Sequence, residues 1–510
     1  MKKESIFDYI KTHMSADGFF ASPVLPDDTE PEIAYLLGDE DGHYFTNGIP
    51  KDPDSADQLL TELRQYAAFP TEENRQQIEN TLSELVMIEV LYGFSTKFTN
   101  EDYNSNMLIL AQELFYNSGC RQALKLAYLL FSCSGMLNIK KNNPELWQDL
   151  LLAARCEEFT YFFVLAARSD LAELQEELWE IIYHTKNWGR IFALEEAVIS
   201  THEQKLWCIK NALDTNADYP PLAVKIILDC ELARELAADE LDYELFHGAA
   251  FAILNFLELL TSYDLNRLEK FFPVSHVDLQ ALLPAFFRHA HRHAVSPETL
   301  MPIIFISEQL QQLIEEENWS HLSANQCHAF VAACDSIIYQ KDWKTEIQTQ
   351  LFTEDGKINH LICDFAKYLE LDIWQPVYDY FVAHPEDHEL LVYLFSSGDS
   401  QQLNDVLAII EQHMDYYMFY PLTLLTPLAY LRDNPGQGNN ILLRLLQAEN
   451  EILIGMAYHV LREWPYQYLT LPLKQAIVAA QAHIQSSVHR EMLGNLLLDG
   501  NDSPDKNNLM

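Results

Sequence analysis

The sequence predicts an all-α protein, a degenerate HEAT/armadillo-like α-solenoid preceded by a short irregular segment. Three observations carry that expectation. Apolar residues recur at helical spacing almost everywhere beyond residue 54. Glycine is scarce, 16 of 510 residues, against an average usage of about 7%. Apolar stripes pair up roughly every 35–45 residues, the period range of helical-repeat arrays.

The elements follow in chain order. Lys2–Met14 is compatible with a short helix. Ser22–Asp54 then holds five prolines and many acids. Within it, Ile33–Leu37 and His43–Thr46 flank Gly38-Asp39-Glu40-Asp41-Gly42, the pattern of a β-hairpin around a DG turn. From about Ala56 the reading is helical. Ile78, Leu82, Leu85 and Val86 share one face, as do Leu453, Met456, Ala457 and Val460. Leu473, Ala476, Ile477, Ala480 and Ile484 extend such a stripe over three turns. Helix starts are marked at Asn143-Pro144-Glu145 and Ser296-Pro297-Glu298, where a capping side chain precedes proline at the first helical position. Asp170 with Glu173 has capping-box spacing, and His384-Pro385-Glu386 is a weaker start signal. The expected organisation is an irregular segment over 1–53, helical-repeat regions over 54–265 and 266–498, and a polar tail over 499–510.

Charge narrows the functional classes. Thirty-three Lys and Arg face 76 Asp and Glu, a formal charge of −43. Nucleic-acid binding needs clustered cations, so that class is not expected. The uncharged run Tyr416–Leu431 has 16 residues and two prolines, short of the roughly 20 apolar residues of a span. No membrane partner is expected. Lys11 and Asp8 interrupt any apolar core of a leader in the first 14 residues. Eight cysteines stand singly, with no CxxC. They read as reduced thiols of a cytoplasmic protein.

Ser118–Lys125 (SGCRQALK), Glu157–Tyr161 (EEFTY), Asn187–Ile191 (NWGRI) and Leu206-Trp207 resemble segments shared by a group of uncharacterised bacterial cytosolic helical proteins. The likeness spans residues 118–210. It implies a bacterial, cytosolic helical-repeat protein and no mechanism.

Two clusters stand out as partner-binding candidates. Trp188 and Arg190 flank a glycine between helices, and Trp and Arg are typical hot-spot residues, but a helix-ending glycine with the tryptophan packed over the turn is the expected role. Arg288, His289, Arg292 and His293 lie in a basic run on a −43 chain. His289 and His293, one helical turn apart, could share a metal with His276, but a solvated basic helix end is the expected role. Glu157-Glu158 is expected to be a solvated pair rather than an acid/base couple. Asp27-Asp28-Thr29-Glu30 and Asn404–Ala408 begin like metal-binding motifs of helical lyases but lack the full ligand sets. Asp39–Gly42 resembles a calcium-loop start with Pro50 where the last ligand should be. P-loop, dinucleotide, zinc-protease and nucleophile-elbow signatures are absent. No catalytic residue, metal or cofactor is assigned. The expected function is a non-enzymatic protein–protein scaffold. The alternatives are an inhibitor or immunity-type protein for a basic partner, and a helical hydrolase or lyase with a carboxylate-lined cleft.

Overall fold

The computed structural model describes residues 4–28, 36–99, 101–484 and 487–497. Among these the fold is all-α. The only β pairing is two isolated bridges, Met14 with Phe20 and Phe352 with Ile358. The chain forms two compact units. One is Met1–Val295 with Pro302–Ile338, and the other is Ser296–Met301 with Tyr339–Met510. The boundary expected at 265/266 thus falls inside the first unit, where Tyr243–Ser262 packs against Leu279–His293.

In the first unit most helices pack mainly on elements close in the chain, while Ile6–Thr12 packs on Ser105–Asn117 and Asp39–Asn47 on Glu157–Ala167. Arg121–Ser132 lies between Ser105–Asn117 and Glu157–Ala167, which in turn lies against Asn187–Glu196. The Arg121 helix is buried on every face from Gln122 to Phe131, so it is a core helix rather than a surface one. Phe115, Tyr128, Phe131 and Phe163 meet edge-to-face around it, with centroids 6.1 Å apart, the arrangement ring quadrupoles favour. Tyr243–Ser262 is the one described helix long and apolar enough to cross a membrane. Its apolar side instead packs on His202–Asn211 and Leu222–Asp229.

The segment expected to be irregular is bound into this unit. Ile6–Thr12 is helical, and Ile6 N donates to Ser118 O at 2.9 Å. His43–Thr46, expected as a hairpin arm, lies inside the helix Asp39–Asn47; Ile33–Tyr35 of the other arm are outside the described residues. The two glycines read as turn residues begin and line that helix, for a reason given below.

In the second unit Asn439–Leu446 packs on Glu451–Leu461 and Leu471–His483. Leu453, Ala457 and Val460, then Leu473, Ala476, Ile477, Ala480 and Ile484, are buried as their spacing predicts. Trp374 and Trp464 donate their indole N–H to Leu394 O (3.2 Å) and Leu431 O (2.8 Å).

Some local expectations shift. Asn143 caps its helix, accepting from Leu146 N at 3.2 Å, and Ser296 and Thr299 bond reciprocally. Asp170 caps a different helix: its carboxylate accepts from Leu137 N at 2.9 Å. Leu85 and Val86 follow the end of Glu72–Leu82. No helix starts at His384; the next begins at Leu390. All eight cysteines are free, six of them buried, Cys133 exposed and Cys120 half-buried.

Candidate functional site

The first unit encloses a set of charges that no sequence pattern announced. Lys125 sits in the fully buried helix Arg121–Ser132 and is itself completely shielded. Its ammonium lies 2.9 Å from Asp41 and 2.8 Å from Glu158. A buried cation persists only when paired, and here two carboxylates from distant segments supply the pairing. Glu158 also accepts from Gly38 N at 3.1 Å and lies 3.8 Å from Arg121. One helical turn before Lys125, Arg121 takes Asp27 through Nε (3.1 Å) and Nη2 (3.0 Å), reaches Asp28, and donates its backbone N–H to Asp27 at 2.7 Å. The aspartates that began like a metal motif are therefore clamps on Arg121.

The electrostatics of this set are asymmetric. Burial pushes the Asp41 carboxyl up to about 7 against the pull of Lys125. Burial pushes Glu158 up as well, but Lys125 and Arg121 together outweigh it and hold it below its ordinary range. Glu158 is thus the carboxylate that keeps its charge. Asp41, with one cation to share, holds a proton more readily. Lys125 is held charged, its carboxylates outweighing desolvation.

Trp188 and Arg190 belong to the same neighbourhood, from the inside. Trp188 is 5% exposed and its indole N–H donates to Asp39 at 2.9 Å. Gly42 lies so close that a Cβ there would sit 2.3 Å from the indole ring; this contact, not a turn, is what the glycine serves. Arg190 is equally buried. It donates to the carbonyls of Thr185 (3.1 Å), Asp214 (3.2 Å) and Asn211, and lies over the Trp207 ring. Both side chains are spent on the fold's own interior, so neither is left on the surface as a partner-binding candidate.

Glu157 and Glu158 are not a solvated pair. Adjacent on the helix, they point into different surroundings, Glu158 into the charge cluster and Glu157 toward the start of Asn187–Glu196. Glu157 accepts from Lys186 N at 3.1 Å, and burial raises its carboxyl to about 7. It lines a cavity of ≈ 490 Å³ with Phe19–Pro23, Leu36, Leu37, Arg155, His184, Lys186 and Asn187.

The basic run divides by helical phase. His289 is buried, its Nε2 bonded to Leu236 O at 3.0 Å. His293 stacks on Phe246 with centroids 5.1 Å apart. Arg288 and Arg292 are exposed. Among the described residues no three metal-ligating side chains come together. His289 is thereby removed from the accessible candidates.

The second unit offers a different surface. Phe419, Tyr420, Leu422 and Leu425 are 59%, 43%, 73% and 58% exposed within seven residues of chain. They span the end of Met414–Phe419, a 3₁₀ turn and the start of Leu425–Asp433. Residues 368–431 contain no Lys or Arg and ten Asp and Glu.

The segments carrying the resemblance stated above are those that supply Arg121, Lys125, Glu158, Trp188 and Arg190. No protein-family model, curated protein or solved structure matches this chain.

Proposed function

We propose that this chain is a non-enzymatic helical-repeat scaffold of the bacterial cytosol that binds another protein. In this reading each unit is a divergent HEAT-like stack whose neighbouring helices bury one another's apolar faces. The observation that carries it is the exposed patch Phe419–Leu425. Large apolar side chains clustered in solvent mark interaction surfaces, and this cluster sits in a stretch of chain with ten acids and no base. The partner has an apolar centre and a basic rim, so the inhibitor-type reading is the electrostatic limit of the same proposal.

The experiment is affinity capture from the source cell with the native chain and with Leu422→Ser/Leu425→Ser. Expected is a partner that the native chain holds, the variant loses at least tenfold, and added salt weakens. A partner retained equally by both chains overturns the patch assignment. Salt-independent binding removes its electrostatic half. Turnover of a metabolite by both chains overturns the non-enzymatic reading.

A further inference from the structure

The cavity beside Glu157 lies wholly in the first unit. One side is apolar, with Phe19, Phe20, Leu36 and Leu37; the other carries Arg155, Glu157, His184 and Lys186. On a chain with 33 bases against 76 acids, three basic side chains converge on one ≈ 490 Å³ space. Arg155 is partly neutralised by Glu180. No ion pair is found for Lys186 among the described residues; its ammonium faces the Phe19 ring at 5.8 Å.

Two polar atoms of this wall, Arg155 Nε and Glu157 Oε2, are shielded from solvent and have no hydrogen-bond partner. Buried polar atoms are paired almost everywhere in proteins. Two unpaired ones at a single cavity, one a cationic donor and one a carboxyl oxygen, point to a ligand that supplies oxygen acceptors. A protonated Glu157 is a donor to such a ligand, as Arg155 and Lys186 are. The aromatic and leucine side suits an apolar body.

We propose that this cavity binds a small organic anion, with its carboxylate or phosphate head at Arg155 and Lys186 and its apolar body against Phe19 and Phe20. Binding is linked to protons. The groups facing Glu157 are the Lys186 and Gly189 N–H, the Asn187 amide and the Arg190 guanidinium, with burial holding its carboxyl near 7. His184 Nδ1 donates to Glu180 O at 2.7 Å, which fixes its ring on this wall. A bound anion favours the protonated form of Glu157. The complex therefore takes up protons, and affinity falls as pH rises through about 7.

Calorimetric titration of the full chain with benzoate, phenyl phosphate, inorganic phosphate and benzyl alcohol tests this. Expected is binding of benzoate or phenyl phosphate, at least tenfold tighter than that of inorganic phosphate or the neutral alcohol. The two aromatic anions distinguish a carboxylate from a phosphate head. Lys186→Met, at an exposed position, should weaken binding about tenfold while keeping the native melting transition, and Glu157→Gln should flatten the pH dependence between pH 5 and 8. The proposal is overturned if neither aromatic anion binds at millimolar concentration, if the alcohol binds as well as they do, or if Lys186→Met changes nothing.

Discussion

The two units bury different chemistry. Among the described residues, every buried polar or charged side chain belongs to the first unit, including Asp41, Lys125, Glu158, Arg190 and His289. Among its described residues the second unit buries only apolar and aromatic side chains, with the indoles of Trp374 and Trp464 satisfied by backbone carbonyls, and instead exposes apolar surface at Phe419–Leu425. The difference concerns specificity. An apolar interior tolerates many packings of similar volume. Buried charges are satisfied in one arrangement only, so they fix which segments meet. In the first unit that arrangement ties residues 27–41 to helices nearly 100 positions later. Among its described residues the second unit has no such tie, and its helices are held mainly by contacts between near neighbours in sequence.

The largest expected effect tests that contrast directly. Lys125→Met should destabilise the first unit by about 3–5 kcal/mol, because Asp41 and Glu158 lose the cation that makes their burial tolerable. Chemical denaturation should then show the first unit melting ahead of the second. If Lys125→Met melts like the native chain, the cluster does not determine the first unit's stability and the contrast collapses.

A smaller effect follows from pH. Glu157 and Glu195 are each raised by burial to about 7 in the fold, against roughly 4.3 in an unfolded chain. Both hold protons in the folded state that the unfolded chain has already released, so stability is full below about pH 4.3 and is lost as pH rises toward 7. Glu195→Gln removes one of these groups and should raise stability at pH 8 by about 2 kcal/mol, with little change at pH 4. Thermal melts across that range read the effect. An unchanged slope would mean that Glu195 is solvated in the fold.

The next effect separates the two halves of the basic run. His289→Phe keeps the ring volume but leaves the buried Leu236 carbonyl with only the long 3.5 Å contact of Arg288 Nη2, costing about 1–3 kcal/mol. Arg292→Ala, exposed on the same helix, should stay within about 0.5 kcal/mol of native. Equal effects from the two would contradict the phase assignment.

What the sequence revealed divides along the same line. The apolar stripes of the second unit, at Leu453–Val460 and Leu473–Ile484, were legible because near-neighbour packing writes itself as a 3.6-residue period. The helix caps at Asn143 and Ser296 were legible because capping is local chemistry. The Lys125 cluster was not. Its members are separated by more than 80 and more than 30 positions, and a charged residue in an apolar run carries no mark of the partner that comes to it. Two weak signals were present. Lys125 interrupts an otherwise apolar helix, and Gly38 and Gly42 bracket acids in a way that also fits a turn. The hairpin reading failed because a glycine needed for close approach to Trp188 looks the same in sequence as one needed for a turn. Trp188 and Arg190 drew attention as a rare pair, but rarity does not tell inside from outside.

The smallest expected stability effect belongs to the surface of the second unit. Leu422 and Leu425 are 73% and 58% exposed, so replacing both by serine removes little buried area and should shift stability by no more than about 0.5 kcal/mol. The same change strips the centre of the apolar patch, where a few large side chains carry most of an interface's free energy. Stability and binding should therefore separate in this variant as they cannot in Lys125→Met, where loss of the cluster unfolds whatever it supports. A double variant that melts several degrees early would show that these leucines pack against the fold, and the patch would then be part of the second unit's interior rather than a surface left open for a partner.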